Sequence, residues 1–262
     1  MADEIDYEII GNDMQIVEIE LDPGEAVQAE AGAMAYMGPG IQMQTSMGNE
    51  GGGFLGGLKK GLKRALTGES FFITNFIHQG SEKGLVAFAA PYPGKIIPLD
   101  LNKFGGSLLC QKDAFLCAAR GIEIEVAFTR KLGAGFFGGE GFILQRLKGN
   151  GLAFLHIGGA VIKKDLVAGE TYRIDSGCVA AFTETVSYDI TWQKNFKNAL
   201  FGGEGVVLAT LTGPGTVYMQ SLPFSRLADR IFAAATYSSR DEHSGIGGTG
   251  VLGGLIGGDK SF

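Results

Sequence analysis

Three glutamates follow a glycine in the same kind of box, Gly68-Glu69, Gly139-Glu140 and Gly203-Glu204, each in front of an apolar run. If three copies of one unit met around an axis, Glu69, Glu140 and Glu204 would offer hard oxygen ligands to a cation, as a metal-binding protein or an enzyme would use them. The plainer role of such a carboxylate is to accept backbone N–H bonds at its own turn. Histidine chemistry is thin. His78, His156 and His243 stand singly with no H-x-H pair, so the spacing forms no cupin-like metal site, and His156, inside an apolar strand, reads as a satisfied core residue. Cys110, Cys117 and Cys178 are odd in number and lack C-x-x-C spacing, which supports neither a disulfide framework nor a zinc site and suits a reducing compartment. No G-x-S-x-G elbow, P-loop or dinucleotide fingerprint is present. No catalytic residue and no metal ligand is nominated, no cofactor is expected, and a non-enzymatic role leads.

A second kind of chemistry lies between residues 54 and 66. On a helical wheel Phe54, Leu55, Leu58 and Leu62 share one arc, while Lys59, Lys60, Lys63 and Arg64 fall outside it. A basic amphipathic segment of this kind can lie on an anionic membrane surface or against a protein partner. It can equally be a crossover whose apolar side covers its own sheet, because Arg130-Lys131-Leu132 and Lys194-Asn195-Phe196-Lys197 occupy the corresponding places in the other copies.

These groups need a scaffold, and composition says which. Of 262 residues 43 are glycine and 7 proline, against about 7% glycine on average, which suits many tight turns between short strands. A net charge of −6 and a pI near 5.2 argue against DNA and RNA as partners. The start, Met1-Ala2-Asp3-Glu4-Ile5-Asp6, resembles neither a signal nor a transit peptide, and no apolar run approaches the ~20 residues of a membrane span, so a cytoplasmic protein, peripheral at most, is expected.

Period-two patterns place strands at Met14–Leu21, Ala26–Glu30, Ala33–Met37 and Ile41–Thr45. They recur at Lys95–Leu101, Ser107–Gln111, Ala114–Ala118, Ile122–Val126, Phe142–Leu147 and Leu152–Ile157, the last two joined by the hairpin signal Gly149-Asn150-Gly151. A third series follows at Tyr172–Asp175, Val179–Phe182, Val186–Trp192, Val206–Leu211 and Val217–Leu222. Each series also opens on a corner: Leu21-Asp22-Pro23-Gly24-Glu25, Asn102-Lys103-Phe104-Gly105-Gly106 and Leu166-Val167-Ala168-Gly169-Glu170. The expected architecture is all-β, with three pseudo-repeated small β-sandwich units around a pseudo-threefold axis and a short C-terminal helix. The units are an N-terminal extension with repeat one over 1–94, including the insertion at 54–66, repeat two over 95–159 and repeat three over 160–221. A helix capped by Ser225 and a mobile glycine-rich tail fill 222–262.

With the boxes Phe136-Phe137-Gly138-Gly139-Glu140-Gly141 and Phe201-Gly202-Gly203-Glu204-Gly205 in view, the chain resembles the altered-inheritance-of-mitochondria-type family. The resemblance covers about Met14 to Ser221 and is weakest at Leu66-Thr67-Gly68-Glu69. It implies a fold like the tryptophan RNA-binding attenuator superfamily and brings no catalytic residues with it. RNA binding follows only by superfamily analogy. The leading expectation is a scaffold or binding protein that docks through residues 54–66 and can form homo-oligomers. The alternative is a metal- or small-ligand-binding protein or enzyme built on the Gly-Glu carboxylates.

Overall fold

The computed structural model describes residues 1–46, 73–130, 142–193 and 206–241. Among them the first strand is β1 (Asp6–Gly11), followed by β2 (Gln15–Leu21), β3 (Ala26–Glu30), β4 (Met34–Met37), β5 (Ile41–Ser46), β6 (Ile73–His78) and β7 (Gly84–Ala89). Next come β8 (Gly94–Asp100), β9 (Ser107–Gln111), β10 (Phe115–Ala119), β11 (Glu123–Arg130), β12 (Phe142–Lys148) and β13 (Leu152–Gly158). The last six are β14 (Val161–Leu166), β15 (Thr171–Asp175), β16 (Val179–Thr183), β17 (Ser187–Gln193), β18 (Val206–Thr212) and β19 (Gly215–Gln220). The fold is all-β with a C-terminal helix, and its strands form antiparallel sheets in a sandwich architecture.

Pairing follows one order in each set of six. The sixth strand lies between the first and third, giving β2-β7-β4, β8-β13-β10 and β14-β19-β16. The fifth lies between the fourth and second, giving β5-β6-β3, β11-β12-β9 and β17-β18-β15. Two antiparallel junctions, β3 with β10 and β9 with β16, join neighbouring sets into six-stranded sheets. β1 extends the first set to β1-β2-β7-β4, and β15-β18-β17 remains three-stranded. The third strand of every set carries a register shift at its second residue, between Met34 and Tyr36, Phe115 and Cys117, and Val179 and Ala181. A bulge of this kind adds local twist and turns the following residues toward a neighbouring strand.

Two of the corners fold alike for a stated reason. Gly24 and Gly169 hold φ of +90° and +80°, which glycine reaches without strain. Glu25 N–H then donates to the Asp22 carbonyl and Glu170 N–H to the Val167 carbonyl. The same glutamates fold back, so that Glu25 Oε2 accepts from Asp22 N–H at 2.8 Å and Glu170 Oε2 from Val167 N–H at 3.0 Å.

Alternation in β2 puts Val17, Ile19 and Leu21 inside and the glutamates between them outside. The core is shared between sets. Phe76, Phe88, Cys110, Phe154 and Ala181 belong to one buried cluster, and Leu109, Phe142, Phe182 and Leu211 to another. β10 is buried on both faces, so its pattern Phe-Leu-Cys-Ala-Ala is continuous rather than alternating.

Two details differ from expectation. β1 was not foreseen, because Asp6-Tyr7-Glu8-Ile9-Ile10-Gly11 is mostly exposed and its strand state comes from pairing with β2. The helix runs Phe224–Asp241, so Ser225 lies inside its first turn instead of capping it. Pro223 stands just ahead, where its fixed φ and missing N–H cost nothing. The glycine-rich tail from Gly245 lies outside the described residues. Among those residues no helix is long and apolar enough to cross a membrane.

Candidate functional site

Every residue singled out for binding on sequence grounds lies outside the described residues. That holds for Phe54, Leu55, Leu58, Lys59, Lys60, Leu62, Lys63 and Arg64, and for Glu69, Glu140 and Glu204. His243 does too. Among the described residues no cluster of three or more His, Cys, Asp or Glu side chains could hold a metal ion. Burial pushes the Cys110 and Cys117 thiols well above their ordinary range, which removes them as nucleophiles.

His78 is a packing residue. It is buried, its Nε2 meets the Glu82 carbonyl, and its ring fills a slot walled by glycines: a Cβ at Gly80 or Gly84 would lie 2.6 Å from it.

His156 is different, and its surroundings form a chemically specific cavity among the described residues. β13 carries it inward at 1% exposure, beside the segment Pro91-Tyr92-Pro93-Gly94 that links β7 to β8. Two prolines restrict that segment, and Gly159 N–H donates to the Pro93 carbonyl at 2.9 Å, tying it to the end of β13. The Tyr92 ring stands edge-on to the His156 ring at 4.4 Å and tilts against Phe224 at 5.6 Å. The slot exists only because two positions are glycine. A Cβ at Gly94 would sit 2.6 Å from His156 Nε2, and one at Gly158 would sit 2.6 Å from Tyr92 Cε2.

The cavity measures about 320 Å3, at the low end of small-ligand sites. Ala33, Ala89, Pro91, Phe115, Leu116 and Phe224 supply apolar wall, and Glu30, Lys112 and Asp113 supply charge. Both His156 ring nitrogens and the Tyr92 hydroxyl are buried without a close hydrogen-bond partner. His156 is thus a core residue whose ring nitrogens have no close side-chain partner, since β13 turns it toward a cavity.

Burial lowers the His156 pKa to about 4, against a smaller upward push from a hydrogen bond with the Tyr92 backbone. Burial first and the Asp113 charge second push the Tyr92 phenol up. Both groups are neutral at pH 7. A base with so low a pKa has little drive to take a proton, so the pair suits recognition better than acid–base catalysis. Stability should respond to pH accordingly. The unfolded chain protonates this side chain near 6.5 and the folded one near 4, so the stabilisation is complete above 6.5 and falls as pH drops from 6.5 to 4. Urea midpoints measured across that window should decline more steeply in wild type than in His156→Gln, and equal slopes would contradict the assignment.

An open groove of about 730 Å3 runs past Asp100, Lys103, Lys163, Thr216 and Tyr218. Its polar groups largely satisfy one another: Thr216 Oγ1 donates to Asp165 at 2.6 Å, and Lys163 pairs with Asp165 at 3.3 Å.

Sequence reading passed over Tyr92 and the cavity around it. The one available signal was Pro-Tyr-Pro-Gly, a stiff turn presenting an aromatic ring.

Comparison with known proteins bears on the whole β body. A family model described as mitochondrial biogenesis AIM24 matches residues 7–222. The uncharacterized protein M6_Spy0233 of Streptococcus pyogenes serotype M6 is 32% identical over 215 residues, which is 81% of this chain and 84% of that one. A crystal structure of protein SPYM3_0169 from Streptococcus pyogenes matches with a TM-score of 0.69 at 26% identity, covering 88% of this chain and 100% of the other. A family match over almost all of the stranded part, with relatives that align along most of their length, makes this chain a member of the mitochondrial biogenesis AIM24 family.

Proposed function

We propose that the protein is a non-enzymatic binding protein and that the Tyr92–His156 cavity receives a small uncharged ligand. One observation carries this reading: two buried polar rings, both neutral and both without a close partner, border a cavity whose remaining wall is mostly apolar. Buried polar groups left unpaired each cost about 1–3 kcal/mol, and a ligand offering one donor and one acceptor recovers that cost. An anion is poorly served, because neither ring carries positive charge at pH 7.

Benzamide and benzoate make a matched pair of probes, alike in size and different in charge. In thermal-shift titrations at pH 7 benzamide should raise the melting temperature in a concentration-dependent way, with apparent affinity at least about tenfold above that of benzoate. Tyr92→Phe, which keeps the ring and removes its unpaired hydroxyl, should weaken the shift. No shift with either probe, or a preference for benzoate, would overturn the reading. It is independent of residues 54–66. The three strand sets are read as copies of one unit about a pseudo-threefold axis, on the strength of their common pairing order.

A further inference from the structure

Two grooves of one construction lie where neighbouring strand sets meet, and the strand registers fix which residues correspond. Cys117 pairs with Phe154 and Ala118 with Ala153, as Ala181 pairs with Tyr218 and Phe182 with Val217. Phe154 therefore corresponds to Tyr218, and Gly151 to Gly215. Ala119 lies opposite Val27 as Thr183 lies opposite Leu108, so Gly121 corresponds to Thr185. Ile19, paired with Val86, corresponds to Leu99, paired with Ala153, and Glu20 to Asp100.

The first groove is filled by the chain's own N-terminal residues. Ala2 lies against both glycines: a Cβ at Gly121 would be 2.9 Å from Ala2 Cα, and one at Gly151 would be 2.8 Å from Ala2 Cβ. Asp3 is held by backbone and charge together. Its N–H donates to the Arg120 carbonyl at 2.9 Å, and its carboxylate accepts from Ala26 N–H at 2.8 Å and pairs with the Arg120 guanidinium at 3.0 Å. Ile5 is buried, and Tyr7, opposite Ile19, stands edge-on to Phe154 at 5.0 Å.

The second groove repeats these walls and is open. Its volume of about 730 Å3 is bounded in part by Leu99, Asp100, Thr185, Gly215 and Tyr218, the counterparts of Ile19, Glu20, Gly121, Gly151 and Phe154. β8 borders it and, among the described residues, pairs only with β13, whereas β2 in the same place also pairs with β1. We propose that this groove docks an extended acidic segment of a partner protein, seated as Asp3–Tyr7 is seated in the first groove. An added strand contributes main-chain hydrogen bonds, and its side chains contribute selectivity. Pro98 has no N–H to offer, so pairing is confined to the end of β8 at Leu99 and Asp100. Thr185 takes the space that Ala2 fills beside Gly121, so the segment begins at the place of Asp3. Tyr218, standing where Phe154 meets Tyr7, favours an aromatic residue opposite Leu99. Charge selects the acidic character. Asp100 accepts from Asn102 N–H, Asp165 engages Lys163, and Glu184, in the place of Arg120, is paired with Arg146. Lys103, in the corner position of Pro23, lines the groove with no ion pair among the described residues. This inference does not depend on the ligand proposed for the Tyr92–His156 cavity.

The probe is an N-acetylated peptide of residues Asp3–Glu8, labelled at its C-terminal end and titrated with the full chain at low ionic strength by fluorescence anisotropy. It should bind with a Kd below about 1 mM. Replacing its Asp and Glu by Asn and Gln, or Lys103→Glu in the chain, should each weaken binding at least about tenfold. Lys103 is exposed, so its reversal leaves the fold intact. No saturable binding, equal binding of the amide peptide, or a Lys103→Glu chain that binds like wild type would overturn the proposal. So would a loss in Arg120→Glu without one in Lys103→Glu, which places the peptide in the first groove. Binding that appears only after residues 242–262 are removed would make the chain's own C-terminal residues the occupant and overturn it as well.

Discussion

Phe154→Ala should destabilise the protein by about 3–5 kcal/mol, the usual range for emptying a large aromatic site in a closed core. Phe154 is fully buried in β13, opposite Cys117 on one side and Pro98 on the other, and Tyr7 stands edge-on to its ring at 5.0 Å. It therefore touches β1, its own set and, through β10, the junction to β3. Around such a site the walls cannot collapse without moving paired strands, so the cavity should persist. For a chain of this length each kcal/mol lowers the melting temperature by roughly 2–4 °C, which predicts a fall of roughly 6–20 °C in calorimetry. A loss below about 1 kcal/mol would mean that β13 is not the packed centre described above.

Gly158→Ala should cost a comparable amount, about 3–5 kcal/mol, from a single added methyl. Its Cβ would lie 2.0 Å from the Leu222 carbonyl oxygen and 2.6 Å from Tyr92 Cε2, and the first obstacle is backbone that cannot rotate aside. Relief requires moving Leu222, whose N–H donates to the Gly158 carbonyl at 3.1 Å, or the Gln220 side chain, whose Oε1 accepts from Gly158 N–H at 2.9 Å. Overpacking of about 1–3 kcal/mol is then compounded by buried hydrogen bonds worth about 1–3 kcal/mol. Gly24→Ala is the control. Nothing lies within 4 Å of its Cβ and only the positive φ is strained, so about 1–2 kcal/mol is expected. Urea midpoints that fail to rank the two substitutions in this order would refute the steric account.

The strands were legible where one face is wet and the ends are punctuated. Ala26–Glu30 and Ser107–Gln111 were read with their final boundaries, because glycines and turn residues flank them. β7, Gly84-Leu85-Val86-Ala87-Phe88-Ala89, gave no alternation to read since Val86, Ala87 and Phe88 are all buried. The helix was legible as a helix but not to its first residue. The candidate site was not legible. Its makers, Tyr92, His156, Gly94 and Gly158, come from a linker and a strand far apart in sequence, and only the pairing of β8 with β13 brings them together. His156 was legible as a core residue, but sequence does not reveal that its strand turns the ring toward a cavity.

The junction between β3 and β10 also bears on synthesis. Ala29 leaves the ribosome long before Cys117, the residue it pairs with. At ~5–20 residues per second the bare edge of β3 waits roughly 5–20 s for its partner strand, longer than a small sheet needs to form. During that interval the nascent chain presents β-strand to whatever is nearby, so its safest early neighbour is a chaperone rather than another nascent copy of itself.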